Sequence, residues 1–158
     1  METILIIVIL KKKDGMRLWH KEIVDVLPRQ QLIGQWRECC AIASNIRTKG
    51  TPNHILVNKI MDYPLSHFIS FTANVVDEMM RRGYKVQKDR FLKHFPEFND
   101  FVYEGNMFPD WHNYRYLHQC IGNLQEKFDC GGISEIEWSK IANKFRVRLV
   151  YGGELTYN

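Results

Sequence analysis

Apolar residues recur at three- and four-residue steps in four stretches of the chain, with turn-rich segments between them. Leu32, Trp36, Cys39, Cys40 and Ala43 make the first stripe, which predicts a helix from Leu27 with Pro28 in its first helical position. Gln31, Gly34, Gln35 and Glu38 then share a second, polar face of that helix. A mid-helix glycine costs about 1 kcal/mol relative to alanine, so tight packing or a closely approaching ligand is expected to offset Gly34. The second helix is predicted over 64–82, with Phe68, Phe71, Val75, Val76, Met79 and Met80 inward, Arg81 and Arg82 at its negative end and Gly83 as cap. The third covers 113–128 through Leu117, Cys120, Ile121, Leu124 and Phe128, and stops at Gly131 and Gly132. Ser134 and Glu137 have capping-box spacing for a fourth helix with Trp138, Ile141, Ala142 and Phe145 inward. Residues 44–62 are turn-rich and carry the basic residues Arg47, Lys49 and Lys59. Residues 84–110 combine a short helix signal from Asp89 with Pro96, Asn99, Gly105 and Pro109, and predict an irregular connection. The class these patterns predict is all-α: a compact single-domain bundle of three to four main helices with long irregular connections.

The chain before Met16 has a different character. Ile4 to Leu10 is an unbroken apolar run followed by three lysines. It falls far short of the roughly 20 residues of a membrane span, and its charges lie on the wrong side for a secretory signal. A buried strand is the alternative, although no second run of comparable quality exists to pair with it. Residues 1–15 are therefore expected to be a leader or a misassigned start outside the core, with Met16 as the true first residue and 16–158 as the folded domain.

Composition changes this picture little. A hydrophobic share of 45% against 25% charged residues is the ordinary globular balance in a chain of 158 residues. The net charge is +4, of which residues 1–15 supply one unit through three lysines against Glu2 and Asp14. That mild basic bias permits a phosphate-binding face without requiring one. The four cysteines, Cys39, Cys40, Cys120 and Cys130, show no metal-binding spacing. Cys39 and Cys40 would point about 100° apart on a helix, and all four are expected to be small buried apolar residues in a reducing compartment. The histidines lack the i, i+4 spacing of zinc helices. No metal and no cofactor is expected.

Three runs carry a family resemblance: MRLWHKEIVDVLPRQQLIGQWREC, YPLSHFISFTANVVDEMMRRGYKV and FPDWHNYRYLHQCIGNLQEKF. Together they resemble the pyrimidine-dimer DNA glycosylase family typified by a phage endonuclease V, in the cellular branch that begins directly with MRLWH. The resemblance spans 16–128. It implies that the α-amine of the first mature residue, here Met16, attacks C1′ of the damaged nucleotide and forms a Schiff base. A chain terminus suits that role because its pKa lies near 7.7–8.0, against about 10.4 for lysine. The resemblance further implies that Glu38 is the essential carboxylate, and that Arg17 and Arg37 hold phosphates beside a flipped nucleotide. Gln30 matches a family glutamine, whereas Gln31 stands where the phage enzyme has a histidine. Ala41 stands where that enzyme has a further arginine, and its aromatic tail is echoed only by Trp138 or Tyr151.

Read without the family, these residues have plainer roles. An Arg-Glu pair on a helix is ordinarily an ion pair, Trp19 is a core residue and His20 a polar partner. Arg47, Lys49 and Lys59 fit phosphate tracking and a solvated loop equally. With the family, the expected protein is a cytoplasmic, monomeric DNA repair glycosylase with AP-lyase activity. Damaged double-stranded DNA, holding pyrimidine dimers or abasic sites, is the expected partner, and no membrane is. The alternative is a non-catalytic nucleic-acid-binding protein of the same fold.

Overall fold

The computed structural model describes residues 16–150 and 154–157, with side chains described as far as Arg146. The apolar run at 4–10 and the assignment of residues 1–15 lie outside the described residues. From Met16 the chain runs extended, makes a one-turn 3-10 helix at Val24–Val26 and enters α1, Arg29–Lys49. A 3-10 helix at Asn58–Asp62 leads to α2, Leu65–Arg81, and then to the short α3, Asp89–Leu92. A further 3-10 turn at Pro96–Asn99 and an irregular stretch precede α4, Tyr114–Asp129, and α5, Glu135–Phe145. The all-α assignment holds for the whole core. The tail adds one antiparallel hairpin, β1 (Val147–Val150) and β2 (Glu154–Tyr157), with Val147 opposite Tyr157 and Val150 opposite Glu154.

The core follows the predicted stripes. Leu32, Trp36, Cys39, Cys40 and Ala43 of α1 are buried against Phe68, Phe71, Val75, Val76 and Met79 of α2 and Phe91 of α3. Phe91 stacks on Phe95 at 5.2 Å and meets Phe68 at 5.6 Å, an aromatic cluster that fixes α3 to the bundle. On α4, Leu117, Cys120, Ile121 and Leu124 face inward, and Phe128 stacks on Trp138 of α5 at 5.4 Å. The helix ends carry the predicted chemistry. Ser134 and Glu137 form both halves of a capping box on α5, and Asn113 caps α4 by accepting from the Tyr116 amide at 2.9 Å. Gly83, at φ +83°, takes the left-handed turn that ends α2.

Four expectations need correction. α1 continues to Lys49, so residues 44–49 are helix and not loop; Ile46 extends the buried stripe by one more turn. Pro28 is the N-cap of α1, one position before its first turn. Met80 is 52% exposed, because it lies one residue past Met79 and so points away from the core. Cys130 is exposed just beyond α4, whereas the other three cysteines are buried.

Buried charge ties the ends of the bundle together. Glu78 accepts from Arg81 at 2.5 and 2.8 Å and from Arg82 at 2.8 Å. Arg82 reaches on to the Leu27 carbonyl at 2.8 Å and the Asp25 carbonyl at 3.2 Å. These two arginines therefore do more than complement the helix end: Arg82 staples α2 to the chain that enters α1.

Candidate active site

The site begins with how residues 17–19 are held. Gln35 lies on the polar face of α1 yet is 1% exposed, because the extended chain runs directly over it. Its Oε1 accepts from the Trp19 amide at 2.7 Å and its Nε2 donates to the Arg17 carbonyl at 2.8 Å. Tyr116 of α4 donates its hydroxyl to the Leu18 carbonyl. Burial pushes the Tyr116 hydroxyl well above the usual phenol range, so it remains a donor at any ordinary pH. The Glu38 carboxyl, one turn beyond Gln35, lies near enough to the Arg17 backbone amide for that amide to favour its ionised form. Three backbone groups of an otherwise irregular segment are thus bound by two helices.

A second layer fixes the segment from behind. His20 Nδ1 accepts the Glu22 amide at 3.1 Å, so its Nε2 donates to the His112 carbonyl at 2.9 Å. His112 Nδ1 accepts the Lys21 amide at 2.9 Å. Both rings are neutral. Burial first, and then the neighbouring His20 and Lys21, lower the His112 pKa to about 2, and burial likewise lowers that of His20. The plain readings of Trp19 and His20 hold in that both are buried.

Two clefts open on either side of Arg17. The first, about 630 Å³, lies over α1 and is lined by Arg17, Trp19, Gln30, Gln31, Gly34, Gln35, Glu38 and, from α4, Asn123, Glu126 and Lys127. The second, about 710 Å³, lies along α4 and shares Arg17, Asn123 and Glu126 with the first. Lys59, Arg115, Trp111 and the turn residues Ile55 and Leu56 also line it. Arg17 and Lys127 both lie on the Trp19 ring, with their charges 5.2 and 5.6 Å from its centre. Burial raises the Glu38 pKa to about 7, against the opposing effect of the Arg17 amide. A carboxyl near half-protonation at neutral pH can both take and give a proton.

Gly34 is not explained by tight packing. A Cβ built there meets nothing within 4 Å, and the same holds for Gly122, which lines the second cleft. Gly34 instead leaves open space one turn before Glu38, on the floor of the first cleft.

The predicted residues divide into two groups. Arg17, Gln30, Gln31 and Glu38 line the first cleft and Lys59 the second, while Met16, next to Arg17 in the chain, is half-buried against the core. Gln31 also presents a buried Oε1 without a partner among the described residues. Arg37 is exposed on the next face of α1 and lines neither cleft. Arg47 bonds Glu97 at 2.7 Å and the His94 carbonyl at 2.6 Å and lies 4.2 Å over Phe95, while Lys49 is exposed at the end of α1. Of the aromatic echoes, Trp138 is buried and Tyr151 lies outside the described residues.

Gln35, Tyr116 and Lys127 carry no functional signal of their own in the sequence. The i, i+3 relation of Gln35 to Glu38 is the one local hint, since it places both on one face. Among the described residues no cluster of three or more His, Cys, Asp or Glu could hold a metal, and no helix is long and apolar enough to cross a membrane.

The model of the pyrimidine dimer DNA glycosylase family matches residues 16–92. The match covers α1, α2 and α3 and begins at Met16; it ends before the stretch 108–128, where the sequence resemblance also runs. No curated protein and no solved structure matches the chain.

Proposed function

We propose, from the match of residues 16–92 to the model of the pyrimidine dimer DNA glycosylase family, that this protein is a DNA repair glycosylase with AP-lyase activity, using the Met16 α-amine and Glu38. The observation that supports this best is the placement of Glu38. Its carboxyl shares a cleft with Arg17, the residue next to Met16, and feels the Arg17 backbone amide, and Gly34 leaves that cleft open.

In this reading a chain beginning at Met16 presents its amine beside Glu38. The amine nitrogen forms a bond to C1′ of the damaged nucleotide as the bond from C1′ to the base breaks. The base leaves with that electron pair and takes up a proton. The bonded nitrogen then gives up one proton, and its lone pair forms the C1′=N bond as the C1′–O4′ bond breaks and O4′ takes a proton, which leaves a protonated imine on the opened sugar. Glu38 exchanges these protons and, as a carboxylate, stabilises the cationic imine. Removal of a C2′ proton then expels the 3′ phosphate by β-elimination, and water releases the amine. Arg17 and Lys127, at the rim, would hold phosphates of the damaged strand, and the target nucleotide must leave the base stack for C1′ to be reached. If residues 1–15 remain attached, the Met16 nitrogen is an amide and this chemistry stops.

The test is borohydride trapping on abasic-site DNA, comparing chains that start at Met1 and at Met16. A covalent adduct with the Met16 start, lost in Glu38→Gln and after acetylation of the terminus, supports the enzyme. DNA binding with no adduct from either chain points to the non-catalytic DNA-binding alternative.

A further inference from the structure

The turn between α1 and the 3-10 helix at Asn58–Asp62 exposes two adjacent apolar side chains, Ile55 at 83% and Leu56 at 52%. Exposed apolar residues are common singly, so their setting decides the matter. Both line the cleft beside Arg17, Lys59 and Arg115, with Glu126 as its one carboxylate. They are also held outward by a rigid turn. The His54 carbonyl accepts the Val57 and Asn58 amides at 3.0 and 2.9 Å, Asn58 Oδ1 accepts the His54 amide at 3.0 Å, and His54 Nδ1 accepts the Leu56 amide at 3.2 Å. Val57 and Ile60, fully buried, anchor the turn from below. The fold therefore presents an apolar tip in the cleft that Arg17, Lys59 and Arg115 also line, on the rim of the candidate site.

We propose that Ile55 and Leu56 form a wedge that enters the base stack of the bound duplex beside the lesion and occupies the space left by an extruded nucleotide. The partner must offer anions to Arg17, Lys59 and Arg115 and an apolar face to the two side chains that share their cleft. Duplex DNA opened at a damaged step does both: its phosphates meet the cations, and the unstacked base faces meet the wedge. This inference rests on the DNA repair reading above and adds how the strand is opened.

The test uses the full 158-residue chain and a duplex holding a tetrahydrofuran abasic analogue with 2-aminopurine as the neighbouring base. Binding of the unaltered protein is expected to raise 2-aminopurine fluorescence several-fold as the probe unstacks. The double variant Ile55→Ala/Leu56→Ala changes only exposed side chains. It is expected to lose that rise and bind about tenfold more weakly, equivalent to the stacking of roughly one base, with the same salt dependence because the phosphate contacts remain. A fluorescence rise in the double variant equal to that of the unaltered protein overturns the wedge, as does tight binding by the unaltered protein without any rise. Capture by phosphatidylserine vesicles that depends on Ile55 and Leu56, without unstacking of DNA, also overturns it and makes a lipid surface the occupant. Failure of the unaltered protein to bind the duplex at all overturns the DNA repair reading as well, which separates the two failures.

Discussion

Gln35 and Trp19 are joined by a buried hydrogen bond of 2.7 Å, donated by the Trp19 amide to the Gln35 side-chain oxygen. The Gln35 side-chain nitrogen donates to the Arg17 carbonyl at 2.8 Å. One side chain thus sets both the height and the direction of the segment that carries Met16 and Arg17 past Glu38. Gln35→Ala leaves two buried backbone groups unpaired and should cost about 2–3 kcal/mol, read as a lower urea midpoint with an unchanged slope. Trapping on abasic DNA should fall further than the loss of folded protein accounts for, since the amine is no longer aimed.

Gly34 separates stability from ligand approach. Its helix position is unstrained and a Cβ there meets only open space, so Gly34→Ala should stabilise the protein by about 1 kcal/mol. The same methyl projects into the cleft next to Glu38 and should weaken binding to lesion-bearing DNA. A rise in Tm together with a rise in Kd checks both halves.

Glu38 and the histidine pair oppose each other in pH. With a folded pKa near 7, raised by burial above the ordinary 4.5, Glu38 holds extra protons in the folded state. Its contribution is greatest below pH 4.5 and is lost as pH rises to 7. His112 and His20 have lowered folded pKa values, so the unfolded chain binds more protons below about pH 6.5. Acidification below that point therefore reduces stability by up to about 1.4 kcal/mol per pH unit for each ring. Urea titrations from pH 5 to 8 should show a maximum between about 6 and 7. Glu38→Gln should raise stability at pH 8, by about 1 kcal/mol once solvent access to the cleft is allowed for, and change it little at pH 5.

The basic residues should divide by location. Arg17 and Lys59 line the clefts, so Arg17→Ala and Lys59→Ala should each reduce the slope of log affinity against log salt by about 0.9 for every phosphate the side chain neutralises. Arg47 is engaged with Glu97, the His94 carbonyl and Phe95. Arg47→Ala should lower stability and leave that slope unchanged, as measured by fluorescence anisotropy across a range of salt concentrations.

Much of this arrangement is legible in the residues themselves. The stripes on α1, α2 and α4, the capping box at Ser134 and Glu137, and the shared face of Gly34, Gln35 and Glu38 are all local patterns, and the structure keeps them. The role of Gln35 is not local. Its burial depends on residues 17–19 folding back over α1, a contact across 16 to 18 positions that helical periodicity does not encode. The same holds for Tyr116, whose partner Leu18 is 98 positions away. α1 runs past its expected end because Ile46 finds a buried position, and tertiary packing of that kind overrides local turn signals. Arg37 and Glu38, adjacent in sequence, face different ways because one helical step turns them about 100° apart.

The claim that residue 16 supplies the nucleophile is tested most directly by locating the bond. The Met16-start protein is reduced with borohydride on abasic-site DNA, digested with nuclease and protease, and the sugar-modified peptide is sequenced by mass spectrometry. The account predicts the adduct on the α-nitrogen of Met16. An adduct on a lysine side chain, or none under conditions where the DNA is bound, would contradict it.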